Sequence, residues 1–340
     1  MKSSSDRLRY IDIAKGLAMI CIILGHLGIP EINRVVYTFH VPIFYFITGF
    51  FVSDRRSVAD FTKNKSRTLL VPYFVTCGVM VLIGIIIGYT DGDAAAAAKK
   101  WVFAALYGAG DSYTEPFYIP GIGAIWFLWA TFFGSIFLRI SLNMNKAVRI
   151  GFIIGLFVFG YFSREIFWFP LSIQAGACAA FFMYLGYLLK GAKEHLSNIP
   201  AEIKVIAAII GAFVWIEFMA DFKSFWLVHN DIGRGVIDIV GCICACAIVM
   251  LISWFIDRKT GFFAGILSFF GKYSLFILCV HIVELRFFPW KQITGALIAH
   301  GMPQGMEMVI IIAGKLAMDL LLTLLLSKIP AVRKLYGMKG

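Results

Sequence analysis

The stretch "DIAKGLAMICIILGH", residues 12–26, puts two side chains capable of chemistry on one helical face. At ~100° per residue, the eleven-residue interval from Lys15 to His26 closes to a net rotation of ~20°, with a rise of ~16 Å. A cation and an imidazole therefore share one stripe, and Asp12 lies one turn before Lys15, within reach of a pair. A neutral imidazole titrates near the physiological range, so His26 can take a proton from a hydroxyl or carry a transferred group itself. Ionisable groups inside an apolar helix cost about 2.5–3.5 kcal/mol each on insertion scales and usually face a bundle interior or a wet cavity. Three of them on one apolar helix imply such a cavity.

Other apolar runs carry matching groups. "TFHVPIFYFITGF" holds His40, with Pro42 and Gly49 loosening its helix, and "GKYSLFILCVHIVE" brings His281 and Glu284 to a comparable depth. Three histidines and a glutamate suggest a metal site, but no two of them have the i, i+4 spacing of zinc enzymes, so no metal is expected. Proton transfer is the chemistry they support more simply. The segment "SDRRSVADFTKNKSRTLLVPY" concentrates five basic residues before the next apolar run, a landing place for a phosphate-rich ligand, with Lys65 and Arg67 among those nearest the apolar run. Lys315 and Asp319, at i and i+4, read as a buried structural pair. All seven cysteines lie in apolar runs, and Cys242, Cys244 and Cys246 scatter around a helix as small hydrophobes.

These residues must be positioned by membrane helices. Of 340 residues 60% are hydrophobic and 15% charged, well above the roughly 45–50% apolar content of soluble domains. Apolar runs fall at about 11–28, 35–53, 69–89, 124–140, 150–162, 172–189, 205–220, 236–256, 266–283 and 306–327, near the length that crosses a bilayer. The expected fold is an all-α integral membrane protein, a polytopic bundle of about ten transmembrane helices. With a cytoplasmic amino terminus, twenty of the 31 basic residues fall on the inner side, eight outside and three within or beside spans. Both termini are then cytoplasmic, and the net charge of +11 faces anionic lipid, with no nucleic acid partner. The first run has internal charges and no small-residue cleavage site after it, so it is read as a retained helix. The outer loop 90–123 should hold a short helix capped by Asp93, with Trp101 at the headgroup level. One integral domain over 1–340, with no appended soluble domain, is the simplest organisation. A transporter of a small polar solute is the competing class, but the inverted repeats and paired broken helices of many such folds are not seen.

On these residues the chain resembles the bacterial membrane acyltransferase-3 family, including its branch similar to fucose 4-O-acetylases and sugar O-acetyltransferases. Lys15 and His26 fit the family's basic-residue, ten-residue, histidine spacing, with Lys where Arg is common. "FHVPIFYFITGF", "SRTLLVPY", "IWFLWA" and "GKYSLFILCVH" look like its later signatures, in order. The resemblance implies an O-acetyltransferase of the bacterial cytoplasmic membrane that moves an acetyl group from cytoplasmic acetyl-CoA to a hydroxyl of a cell-envelope glycan or lipid-linked sugar. It implies catalytic roles for His26 and Lys15, and donor-phosphate contacts for Arg67, Lys65 and Lys15. His40, Trp126, His281 and Glu284 become acceptor-side or orienting groups. Its partners would be the bilayer and a carbohydrate acceptor; a homo-oligomer and an acetyl-His26 intermediate both stay open.

Overall fold

A computed structural model describes residues 8–259, 261–303 and 305–338. Three residues assigned above to the inner side, Lys2, Arg7 and Lys339, lie outside the described residues. The fold is helical: α1 (Arg9–Gly25), α2 (Pro30–Val36), α3 (Pro42–Phe51), α4 (Val58–Lys65), α5 (Val71–Thr90), α6 (Ala94–Tyr107), α7 (Trp126–Ser141), α8 (Lys146–Phe162), α9 (Ile173–Ser197), α10 (Ala201–Ala220), α11 (Val236–Arg258), α12 (Phe262–Lys272), α13 (Ser274–Phe287), α14 (Trp290–Ala299), α15 (Met306–Leu326) and α16 (Pro330–Leu335). Among the described residues no β-strand forms, only an isolated bridge between Tyr113 and Ile119.

Among the described residues, six helices are long and apolar enough to cross a membrane: Val58–Thr90, Lys146–Glu165, Pro170–Ala192, Ala201–Ala220, Val236–Arg258 and Met306–Leu326. A seventh crossing exists if α12 and α13, bent by 78° against each other, count as one broken span. The expected count of ten is not reached by this measure. The three remaining apolar runs form helices of 17, 10 and 16 residues, α1, α3 and α7. The run 35–53 is not one helix. Pro42, which lacks a backbone N–H, begins a new helix after a turn at 37–41, so α2 and α3 are separate pieces. In the outer loop the expected short helix is α6, capped by Asp93 Oδ1 accepting from the Ala96 N–H at 3.0 Å.

The apolar short helices α1, α3 and α7 bury much of their surface inside the bundle, and most of the long ones lie around it. α9 is the most enclosed long helix and packs on α3, α7 and α8, whereas α8 and α10 turn most of their surface outward, as lipid-facing helices do. Several crossings bring backbones into direct contact, which only small residues allow, and two of them are the tightest. In one, Gly16 of α1 faces the Leu267 carbonyl and Gly271 faces the Asp12 carbonyl, so a Cβ on either would overlap the opposing backbone. In the other, Gly49 of α3 faces Met183 and Gly186 of α9 faces Phe46 in the same way. The first crossing lays α12 along α1. The bend at Tyr273 then sends α13 against α1 and α15, which brings residues from three helices together.

Candidate active site

His26 caps the carboxyl end of α1. The carbonyl of Ile22 is one of the last four of that helix, groups that lack a regular helical partner. The His26 backbone N–H goes to Ile23 instead, and the imidazole Nδ1–H donates to the Ile22 carbonyl at 2.8 Å. A carbonyl only accepts, so Nδ1 carries the hydrogen and Nε2 keeps its lone pair. His40 is held in a related way: its Nδ1–H donates to the Val36 carbonyl at 2.7 Å, beside its own backbone N–H at 3.0 Å. Its ring stacks on Tyr37 with centroids 4.9 Å apart, and the Tyr37 hydroxyl donates to the Gly25 carbonyl at 3.1 Å, tying this turn to the end of α1.

Behind His26 lies a buried polar cluster. His281 Nε2 is 3.4 Å from His26 Nδ1, and its Nδ1 faces Asp319 Oδ2 at 3.1 Å and Glu284 Oε2 at 2.9 Å. With the His281 hydrogen on Nδ1, toward the carboxylates, its Nε2 can share the His26 Nδ1–H with the Ile22 carbonyl. Lys315 Nζ reaches Glu284 Oε1 at 2.8 Å, the Trp290 indole N–H donates to the same oxygen, and the ammonium lies 4.8 Å from the Trp290 ring centroid. His281, Glu284, Lys315 and Asp319 are all buried. Two carboxylates and one ammonium leave this group one negative charge when both imidazoles are neutral, so a proton arriving on either ring is neutralised without water.

The cluster corrects the local reading of α15. Lys315 and Asp319 do not pair with each other; each turns to α13, Lys315 to Glu284 and Asp319 to His281. One ligand atom from each of His281, Glu284 and Asp319 lies within 4.8 Å of the others, an arrangement that suits a cation. The Lys315 ammonium already occupies that role on Glu284.

The cavity that His26 lines has a volume of about 300 Å³. His40 and Trp126 share its wall with Tyr37 and Trp226, and Asp111 and Arg286 carry its charges. Trp126 is buried at the first turn of α7. His26, His40 and Trp126 thus meet at one cavity, whereas His281 and Glu284 stand behind His26. The cationic end of the stripe lies elsewhere. Lys15 pairs with Asp12 at 3.0 Å, ~16 Å along α1 from His26 by helical rise, on the α12 side. Lys65 and Arg67 lie where α4 meets a π-helical turn, Ser66–Leu70, and neither lines the His26 cavity.

Several residues of this region escaped the sequence reading. Asp319 and Lys315 were visible as costly charges in an apolar run, but their tertiary partners were not. Asp111, Trp226, His229 and Arg286 looked like ordinary loop or helix-end residues. Arg139 is buried at the end of α7, where it donates to the Arg56 carbonyl at 2.6 Å and the Asp54 carbonyl at 3.1 Å, fixing the loop that opens the basic segment.

The chain matches the family model described as an acyltransferase domain over residues 8–326. It is similar to the nodulation protein NolL of Mesorhizobium japonicum (strain LMG 29417 / CECT 9101 / MAFF 303099), with 25% identity over 158 residues, covering 42% of this chain and 38% of that protein. No solved structure matches it significantly. A family match that runs from the start of α1 to the end of α15 takes in every helix contributing to the histidine cluster, and the chain, whose apolar helices are those of a multi-pass membrane protein, belongs to the acyltransferase-3 family.

Proposed function

We propose that this acyltransferase moves an acetyl group from cytoplasmic acetyl-CoA to a hydroxyl of a cell-envelope glycan or lipid-linked sugar, with His26 as the general base. The carrying observation is the state of His26: its Nδ1–H is committed to Ile22 and His281, which leaves Nε2 for the cavity. The acceptor oxygen attacks the thioester carbonyl carbon while His26 Nε2 takes its proton. The new C–O bond forms, the C–S bond breaks, and the proton passes from Nε2 to the departing sulfur, giving an ester and free coenzyme A. The buried negative charge of the Glu284, Lys315 and Asp319 group stabilises the transient imidazolium through His281.

The donor side rests on Arg67, Lys65 and Lys15, whose charges suit the phosphates of coenzyme A. Counting α1, α3 and α7 with the longer helices and the bent pair restores ten crossings in a single integral domain. The positive-inside bias then sets both termini and this basic segment in the cytoplasm of a bacterium, with the His26 cavity toward the outer face. The transporter alternative loses its ground with the family assignment.

The test is coenzyme A release by purified protein in lipid nanodiscs, supplied with acetyl-CoA and cell-envelope glycan. His26→Ala, checked for folding, should lose roughly 10²–10⁴-fold in kcat. A variant working at the wild-type rate overturns the assignment. An acetyl group trapped on His26 by mass spectrometry makes it a nucleophile instead of a base.

A further inference from the structure

The outer half of the His26 cavity holds charges that the acyl-transfer chemistry does not use. Asp111 and Arg286 line the same cavity, yet no ion pair or hydrogen bond joins them, and Arg286 makes neither with any described residue. Opposite charges that face one space without closing on each other leave room for a neutral molecule that donates to one and accepts from the other.

Asp111 is held in place from behind, and the backbone leaves room for Arg286. His229 Nε2 lies 3.3 Å from Asp111 Oδ2, and its Nδ1 is 3.0 Å from the Tyr113 hydroxyl. Tyr113 in turn stacks on the buried Trp168 at 5.3 Å, with the rings 6° from parallel. On the other side, Gly123 has φ +88°, and a Cβ there would lie 3.1 Å from the Arg286 guanidinium nitrogens, so the missing side chain is what lets the backbone approach Arg286. Trp226 is 45% exposed at the cavity wall, stacked on His229 with centroids 5.9 Å apart, and offers an aromatic face beside the charged pair.

We propose that this outer half is a subsite for one neutral pyranose ring, with Asp111 accepting from a hydroxyl, Arg286 donating to a hydroxyl or ring oxygen, and Trp226 covering the ring's C–H face. The inference deepens the proposed acceptor class and rests on that reading for the ring's role in the reaction. A volume of about 300 Å³ stands at the lower end of small-ligand pockets, room for a single ring and not for an oligosaccharide. The two lining charges cancel, so a neutral ring bonds both without adding a charge that the cavity would have to balance. A site built to bond hydroxyls also rejects analogues that lack them, because its own polar groups are then left without partners.

The experiment reads tryptophan fluorescence of the full chain in nanodiscs, without donor, titrated with methyl glycosides of glucose, galactose and mannose, with glucuronic acid and with inorganic phosphate. The expected result is saturable binding of at least one neutral glycoside, weakened at least about tenfold by Asp111→Asn and by Arg286→Gln, with glucuronic acid and phosphate weaker. Trp226→Leu, at an exposed position, is a separate arm that should weaken binding similarly. The proposal is overturned if no neutral glycoside binds saturably, if phosphate or glucuronic acid binds more tightly, or if folded variants bind like wild type. Coenzyme A release by the wild type separates the two readings. Glycoside binding as expected in a protein that never consumes acetyl-CoA removes the acetyltransferase reading and keeps the subsite, while turnover without selective binding does the reverse.

Discussion

Replacing Asp319 with asparagine tests whether the buried cluster acts on His26 or merely fills space. The change keeps the shape of the side chain and removes one charge, so the group around His281 goes from one negative charge to neutral. The path from Asp319 Oδ2 to His26 runs 3.1 Å to His281, across its ring and 3.4 Å on, so the charges stand about 8 Å apart and interact by about 2 kcal/mol at an effective dielectric of about 20. That corresponds to a fall of about 30-fold in kcat. The fall is smaller than the full loss of an orienting acid in a catalytic triad, because Glu284 stays 2.9 Å from the same His281 nitrogen. The assay is coenzyme A release at saturating acetyl-CoA and acceptor. KM for both substrates should stay near wild type, because Asp319 lies behind His281 and does not line the cavity. Asp319→Glu should recover part of the rate, and Asp319→Asn with His281→Gln should cost little more than His281→Gln alone, since both act along one path. A kcat within twofold of wild type in a folded Asp319→Asn variant, or a loss confined to KM, refutes the reasoning.

Lys315→Met leaves Glu284 and Asp319 buried without their cation and should cost about 3–5 kcal/mol, read as a lower Tm in detergent, whereas adding Glu284→Gln should restore much of it. Arg139→Ala frees the carbonyls of Asp54 and Arg56, so the basic segment loses its anchor and KM for acetyl-CoA should rise about tenfold with kcat retained; an unchanged KM separates this loop from the donor. The hydrogen bond from His229 holds the Asp111 carboxyl below the usual carboxylate range. Such a group stays ionised above its ordinary value and loses its charge only as pH falls through the lower folded one, so glycoside binding between about pH 5 and 8 should not follow Asp111. A midpoint within that window that vanishes in Asp111→Asn would contradict this.

The parts of the fold legible in the sequence are those that depend on hydropathy alone. The six long helices coincide with long apolar runs, because a run of that length has no stable alternative in lipid. The interior pieces were less legible. Pro42 announced a weak point in the run 35–53, but nothing in a hydropathy profile says that the chain stops, turns at 37–41 and restarts as a ten-residue helix. The 78° bend between α12 and α13 is hidden for the same reason, since "GKYSL" stays as compatible with a continuous span as with a broken one. At the site, the histidines could be found because three imidazoles in apolar runs are expensive wherever they sit. Their order could not: that His281 stands behind His26 while His40 stands beside it follows from the bend, not from spacing. Lys315 and Asp319 misled because an i, i+4 pair is the local answer, and the tertiary partners on α13 outbid it.

The stripe on α1 holds its two polar ends far apart. Lys15, held by Asp12 and lying beside the crossing with α12, is ~16 Å from the imidazole that its spacing aligns it with. A cation that far away cannot stabilise charge at the carbonyl, and Met19 and Ile22, which lie between the two on the same face, are buried in the core. On the proposed reading the donor's head therefore reaches the basic residues by a route other than this face of α1. α1 ends next to His26, where a terminal carbonyl holds the ring, and α2 ends at Val36, so that His40 in the turn at 37–41 lines the same cavity. The Ile22 carbonyl is left to the His26 ring because the His26 N–H goes to Ile23, whereas the Val36 carbonyl takes both the N–H of His40 at 3.0 Å and its imidazole on its two lone pairs. Helix ends that hydropathy cannot see thus hold both imidazoles by Nδ1 and leave each Nε2 for chemistry.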